Sequence, residues 1–319
     1  MPFRHTRSLL LGSCLASVAA ACGTVPNEPA PSPDANAMPP DAEPPPPDAE
    51  PPPPRCDPSL PFGEPTLLPN VNTANAEYGA ALTADEKVLF MARFDLQGQK
   101  FRLYESQRAS IDDDFPAPRE LTTLNTFGYE KHPSATPDGL TLYFISDGDA
   151  YVARRSGRTA DFGAAAKVDA VSTGEYEDDV TVAPSGLYFM RAVGDRGGEL
   201  AHVASRAGGG FEDVTFLTEL NSVGSEGEPV LSHDERRILF FSTRTDGGAE
   251  GYHDIYEATR ATASDRFGTP VNLHVLNTAD GDMPEWLSDD GCALYLSSNR
   301  PGGTGDWDLY VARRPPPSP

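Results

Sequence analysis

The feature that most constrains this chain is an internal repeat that occurs five times. Each copy opens on a phenylalanine, followed by Asn or Ser after ten residues, an acid after fifteen and a turn residue after 23. No gap is needed within any copy. The opening residues are Phe62, Phe115, Phe162, Phe211 and Phe267, and the acids are Glu77, Glu130, Glu177, Glu226 and Asp282. Copies spaced 47 to 56 residues apart predict a repeat architecture with one structural unit per copy.

The residues within each copy predict β-strands. After the turn residue comes an apolar, aromatic run such as LTLYFIS at 140–146, then a second run such as DAYVARR at 149–155. Short apolar runs bounded by turn residues are typical of strands. Counting outward from the centre, strand a precedes the turn, strands b and c follow it, and strand d follows the next phenylalanine. Four strands at this period are typical of a propeller blade.

The strand order also predicts how the ring closes. The first copy begins with strand d at 62–71, and the last copy stops after strand c at Arg314. Residues 62–71 should therefore pair with the last blade, which removes exposed sheet edges. We predict an all-β fold at 56–314, a five-bladed β-propeller of four-stranded antiparallel blades.

The residues before the propeller predict export. Residues 1–21 are interpreted as a signal peptide: two arginines precede an apolar stretch at 8–21, which is too short to span a bilayer permanently. Three alanines precede Cys22, a pattern similar to the bacterial lipobox, so we predict that Cys22 is acylated. Lipidation at Cys14 and an ordinary secretory signal cleaved after an alanine are the alternatives.

The composition of the chain predicts how the protein is attached to the cell envelope and which classes of partner it does not bind. Residues 22–55 are rich in Pro, Asp and Glu and predict an extended tether, and 315–319 form a proline-rich tail. Residue 24 is Thr and not Asp, which by the enteric sorting rule predicts an outer-membrane lipoprotein of the cell envelope. The formal charge of −23 argues against nucleic acid and anionic lipid as partners. We expect a monomer that contacts the membrane through its lipid anchor alone.

Cys56 and Cys292 remain as a pair if Cys22 is lipidated. An exported protein meets oxidising conditions, which favour a disulfide. Cys292 follows the a–b turn of the last blade, and Cys56 precedes strand d of the same sheet, so both should lie at the same end of that blade. We predict a disulfide between them, with two separate thiols as the alternative.

Two segments carry a resemblance to a known family. PSATPDGLTLYFISDGDAYVARR at 133–155 and PEWLSDDGCALYLSSNRPGGTGDWDLYVARR at 284–314 resemble the TolB-type, WD-repeat-like propeller repeat of bacterial envelope proteins. The resemblance covers about residues 62–314. It implies a scaffold or protein-binding module of the cell envelope. Binding of a carbohydrate or another small ligand is the alternative function.

The sequence contains no motif that predicts catalysis, a metal or a cofactor. It lacks a HExxH, a nucleophile elbow, a P-loop and a GxGxxG, and its acidic turns do not continue into an EF-hand. The enzyme alternative is a glycoside hydrolase, which needs carboxylates at different depths in distinct environments. The repeated acids occupy one equivalent position per blade, and we therefore expect a protein that is not an enzyme.

The start of strand a predicts a binding face at one mouth of the central channel. The repeated acids precede the innermost strand, and the b–c loops, which vary in length, emerge on the same face. We predict that this mouth binds an envelope protein or a cationic or polyhydroxylated ligand. The residues assigned to it are Glu77, Glu130, Glu177, Glu226, Asp282, Tyr78, Tyr129, Tyr176, Arg244 and Arg300. The alternative is that each acid only accepts hydrogen bonds from the backbone of its own or the neighbouring blade.

Overall fold

The computed structural model describes residues 54–126, 128–194 and 197–318. The predicted signal peptide, Cys22 and all but the last two residues of the predicted tether lie outside these residues. The described residues form β-strands and no α-helix, so none of them provides a helix long enough to cross a membrane.

The described strands form five antiparallel sheets of four strands each, which confirms the predicted five-bladed propeller. In chain order the strands are β1 (Thr66–Leu67), β2 (Ala76–Leu82), β3 (Val88–Asp95), β4 (Lys100–Gln107), β5 (Arg119–Glu120), β6 (Glu130–Ala135), β7 (Thr141–Ser146), β8 (Asp149–Arg154), β9 (Ala166–Lys167), β10 (Glu177–Ala183), β11 (Gly186–Ala192), β12 (Gly198–Ala204), β13 (Thr215–Phe216), β14 (Glu226–Leu231), β15 (Arg237–Ser242), β16 (Asp254–Thr259), β17 (Val271–Asn272), β18 (Asp282–Leu287), β19 (Ala293–Ser298) and β20 (Asp308–Arg313). Blades 1 to 4 are β2–β5, β6–β9, β10–β13 and β14–β17, each paired in sequence order.

The fifth blade joins both ends of the described chain. Its strand order is β1-β20-β19-β18, with Thr66 opposite Val311 and Leu67 opposite Tyr310. This pairing confirms the predicted ring closure. A disulfide joins Cys56 to Cys292 in the turn after β18, with the two Cα atoms 5.6 Å apart.

The repeated residues hold the blades together. The repeated asparagine accepts a hydrogen bond from the backbone of strand c, as Asn72 Oδ1 does from Leu309 N at 2.8 Å. The arginine after strand c lies over the phenylalanine of the following repeat: the guanidinium of Arg155 is 4.6 Å from the centre of the Phe162 ring. Arg108, Arg260 and Arg314 lie in the same way over Phe115, Phe267 and Phe62. The apolar faces of neighbouring blades form the core between them.

Candidate functional site

The five repeated acids, called here the frame acids, accept hydrogen bonds from residues of their own or the neighbouring blade. Each has 0% of its surface exposed. The carboxylate of Glu77 accepts hydrogen bonds from Thr73 N at 3.0 Å, Thr73 Oγ1 at 2.7 Å and Arg93 Nε at 2.6 Å. Glu177, Glu226 and Asp282 repeat the loop contacts with Thr173, Ser222 and Thr278. Glu130 accepts from Gly128 N, and from Arg102 in the neighbouring blade, both at 2.8 Å.

Arg244 and Arg300, which the sequence assigned to the mouth, are bound to frame acids. Arg300 Nη2 lies 2.6 Å from Asp282 Oδ1 and donates to Leu276 O at 2.7 Å. Arg244 Nη2 lies 3.4 Å from Glu226 Oε1 and donates to Leu220 O at 2.6 Å. Their guanidinium groups connect strand b to the loop before strand a within one blade.

A β-bulge lies just beyond each frame acid. The residues in these bulges form a second set, separate from the frame acids, that is directed toward the central channel. In every blade the pairing of strand a with strand b shifts by one extra residue, for example between Asp178 and Thr181. A bulge redirects a side chain out of the regular alternation of a strand. The residues at these positions are Gly79, His132, Asp179, Glu228 and Glu285. The last four are called the bulge residues below, and unlike the frame acids they differ from blade to blade.

The backbone at three bulge residues is left-handed. The φ angles of His132, Asp179 and Glu228 are 47°, 55° and 50°, a region that non-glycine residues seldom adopt. Blade 1 has Gly79 here (φ 64°), and a Cβ on it would lie 2.8 Å from Cδ of Pro133. Unfavourable backbone conformations of this kind cluster at functional sites.

Three of the bulge residues meet at the channel axis. His132 Nε2 lies 3.2 Å from Asp179 Oδ1, and His132 Nδ1 lies 2.9 Å from Glu228 Oε1. One ligand atom from each residue lies within 4.8 Å of the others. Glu228 and Asp179 are 6% and 5% exposed, so two buried carboxyl groups lie beside a partly buried imidazole.

Burial dominates the electrostatics of the bulge carboxyl groups. It raises the pKa of Asp179, Glu228 and Glu285 well above the ordinary range. The charge of Glu228 further raises the pKa of both Asp179 and Glu285, and the charge of Asp178 raises that of Glu228. Groups of this kind are candidates for proton donors.

A second polar layer lies one residue before the bulges. Lys131 Nζ is 2.6 Å from Asp178 Oδ2, and the Tyr176 hydroxyl donates to the same oxygen at 3.2 Å. Burial alone would lower the pKa of Lys131, but the charge of Asp178 leads the contributions that raise it. Burial, followed by the charges of Asp306 and Glu285, raises the pKa of Tyr78 in this layer. Carboxyl groups therefore occupy two depths with different surroundings.

Aromatic side chains surround the mouth at this end of the channel. Tyr129 and Tyr176 are 45% and 46% exposed. The Tyr78 and Trp307 rings have their centres 5.2 Å apart, and Phe101 lies 5.7 Å from Tyr78. Of the predicted mouth residues, the structure therefore brings the three tyrosines to the channel and leaves the acids and arginines within the blades.

A cavity of about 250 Å³ occupies the other half of the channel. Its polar lining includes His132, Glu228 and Glu285, and its walls are largely apolar residues such as Val180 and Val230. It extends to the a–b turns, where exposed residues line its edge.

Sequence reasoning missed the bulge residues because it followed only the positions that repeat. A signal was present in the three prolines on the innermost strands, Pro133, Pro229 and Pro284. Proline cannot donate to a sheet ladder, so within a strand it is confined to an edge strand, to the first residue or to a bulge. Each of these prolines lies next to a bulge residue.

No protein-family model and no curated protein sequence matches this chain. Solved structures do match its fold. An α-L-arabinofuranosidase from Podospora anserina, solved with cellotriose, is 12% identical with a TM-score of 0.51, over 82% of this chain and 99% of that one. An α-L-arabinofuranosidase from Lactobacillus brevis is 10% identical with a TM-score of 0.49, over 77% and 92%. A thermostable family-43 glycoside hydrolase is 10% identical with a TM-score of 0.48, over 78% and 91%. At these identities the likeness shows the fold.

The expectation that this protein is not an enzyme is contradicted, because its fold is similar to that of an α-L-arabinofuranosidase and the propeller therefore gives no ground for excluding catalysis. The expectation was wrong for a physical reason as well. It treated the frame acids as the only candidate carboxylates, and their equivalence argued against catalysis. The bulges supply Asp179, Glu228 and Glu285 in three different blades, together with Asp178 at a second depth. The TolB-type resemblance remains a prediction.

Proposed function

We propose that this protein is a carbohydrate-active enzyme of the glycosidase type, with Glu285 as proton donor and Asp178 as the charged carboxylate. The observation that carries the proposal is the contrast between the two groups. Asp178 lies beside the Lys131 ammonium, whereas Glu285 is partly buried and has no hydrogen-bond partner for Oε1 among the described residues. Glycoside hydrolysis requires two carboxyl groups in such different states.

The proposed chemistry follows from these states. Glu285 would donate its proton to the glycosidic oxygen as the bond to the anomeric carbon breaks. The Asp178 carboxylate would stabilise the positive charge that develops at that carbon. A water molecule then adds to the carbon, and its proton restores Glu285, so that the net reaction is hydrolysis.

The mouth supports a sugar as the substrate. Sugar rings present apolar C–H faces, and exposed aromatic rings offer large, rigid surfaces on which such faces can pack. Tyr129, Tyr176 and Trp307 lie around the polar layer that contains Lys131 and Asp178. An apolar rim with a few polar groups at its centre is typical of small-molecule sites.

The test is hydrolysis of a panel of aryl glycosides that includes α-L-arabinofuranosides. Glu285→Gln and Asp178→Asn should each reduce kcat/KM by roughly 10²–10⁴-fold. Glu175→Gln is the matched control, because Glu175 is exposed in the loop beside Tyr176, and it should retain activity. Absence of hydrolysis by the unaltered protein, or full activity in both site variants, would overturn the proposal.

We also propose, from the sequence, that the enzyme is held at the cell envelope through acylated Cys22. Acyl chains acting together give stable membrane anchoring. Cys22→Ser should release the protein from the membrane fraction, with Cys14→Ser as control. Release by Cys14→Ser alone would contradict the assignment.

A further inference from the structure

We propose that His132, Asp179 and Glu228 form a binding site for one divalent transition-metal ion of the zinc class. This inference does not depend on the proposed hydrolysis, because neither Glu285 nor Asp178 is among the three ligands. The three residues come from blades 2, 3 and 4, so the ion would connect three blades at the channel axis.

The positions of the donor atoms support the site. One donor atom from each residue lies within 4.8 Å of the others. Ligands at about 2.1 Å from a tetrahedral ion lie on the order of 3.4 Å apart, so small side-chain movements would complete the coordination. The ligand set of one imidazole and two carboxylates suits a borderline ion, whereas Ca²⁺ and Mg²⁺ favour oxygen ligands alone.

Unpartnered atoms point to a missing ligand. Glu228 is 94% buried, and its Oε1 has no hydrogen-bond partner among the described residues. It lies 2.9 Å from His132 Nδ1, and that nitrogen also has no hydrogen-bond partner among the described residues. A buried donor or acceptor without a partner is costly, and a metal ion would satisfy both atoms.

The local charge also favours a cation. Asp178, Asp179, Glu228 and Glu285 approach the axis, and the Lys131 ammonium contacts Asp178. With Glu285 protonated, as the proposed hydrolysis requires, ionised Asp178, Asp179 and Glu228 against one ammonium leave a net charge of −2, with His132 counted as neutral. A divalent ion reduces this repulsion inside a low-dielectric channel.

The experiment uses the full chain, stripped with a chelator and titrated separately with Zn²⁺, Mn²⁺ and Ca²⁺ by calorimetry. We expect one Zn²⁺ per chain, tighter than Ca²⁺, and a higher Tm when the ion is bound. His132→Gln and Glu228→Gln should each weaken Zn²⁺ binding by about 100-fold, since even outer-shell changes cost 10–100-fold. Circular dichroism of each stripped variant verifies that it has folded.

The matched control is His274→Gln. His274 also lies beside a carboxylate, with Nδ1 2.7 Å from Glu250 Oε1, but this pair is on the surface. The control should bind Zn²⁺ as the unaltered protein does. Zn²⁺ binding that survives both cluster substitutions, tighter binding of Ca²⁺, or no binding of any of the three ions would overturn the proposal. Glu285→Gln separates the two proposals, because it should reduce kcat/KM by roughly 10²–10⁴-fold and retain the metal.

Discussion

The frame acids and the bulge residues lie two or three residues apart on the same innermost strands, yet their surroundings differ. A frame acid such as Glu226 is fully buried, and its carboxylate is satisfied by Ser222, Ser242 and Arg244. Glu228, two residues later, is almost as buried but has an unpartnered oxygen beside His132. Burial alone does not distinguish the two sets of acids, and the supply of hydrogen-bond donors does.

Removing the Cys56–Cys292 disulfide should cause the largest loss in the free energy of unfolding, against which the losses from the frame acids and bulge residues can be compared. The bond joins residues 236 positions apart. The loop-entropy relation, which is model-dependent, gives about 5 kcal/mol for such a loop. The variant Cys56→Ser/Cys292→Ser should lose about that much free energy of unfolding in urea titrations under oxidising conditions. A loss below about 1 kcal/mol would mean that strand pairing alone closes the ring.

The most direct test replaces one frame acid and one bulge residue on the same strand, β14, by glutamine in separate variants. Glu226→Gln replaces a carboxylate that accepts from several donors, and breaking such a buried pair costs about 3–5 kcal/mol. Glu228→Gln should change the free energy of unfolding by no more than about 1 kcal/mol in metal-free protein, because no described hydrogen bond to Oε1 is lost. Urea denaturation of both variants measures the difference. Equal losses in the two variants would remove the distinction between the sets.

The bulge itself can be tested in blade 1, where it carries no functional side chain. Gly79→Ala should cost about 2 kcal/mol, because φ is 64° and the new Cβ would lie 2.8 Å from Pro133 Cδ. Gly174→Ala is the control, because a Cβ there meets nothing within 4 Å. A stable Gly79→Ala protein would show that the bulge tolerates side chains in every blade.

The smallest expected change in the free energy of unfolding concerns the ion pair between Arg55 and Asp290, which lies at the end of the channel with the a–b turns. Burial alone would raise the pKa of Asp290, but hydrogen bonds led by that from Arg55 lower it to about 2. Because the folded pKa lies below the unfolded value of 3.8, the pair stabilises the protein above about pH 4, and this contribution is lost as pH falls toward 2. Since the pair is partly exposed, Asp290→Asn, which leaves the contact of Arg55 with the buried Glu86 in place, should cost less than about 1 kcal/mol at pH 7. Urea titrations of both proteins at pH 7 and pH 2.5 check that the difference shrinks; a difference that grows in acid would contradict it.

The fold could be predicted in detail because its determinants repeat. The spacing from Phe62 to Glu77 recurs without gaps in all five copies, and each repeated residue has a local partner in the structure. The closing strand could be predicted because the first copy begins on strand d. The candidate site could not be predicted in the same way. His132, Asp179 and Glu228 each follow their frame acid by two residues, as Gly79 does, but the residue type at this position changes between blades, and Glu285 follows its frame acid by three residues.

The sequence by itself determined the blade number, the strand order, the ring closure and the acidity of the chain. These properties follow from the number, spacing and order of the repeats and from the composition, all of which can be read along the chain without knowing which residues meet. Only the tertiary structure decided which carboxyl groups meet. Residues 132, 179, 228 and 285 are separated by about fifty positions each, and the bulges turn them toward one axis only when five blades close into a ring. Convergence of that kind depends on the whole ring, and no single repeat contains it.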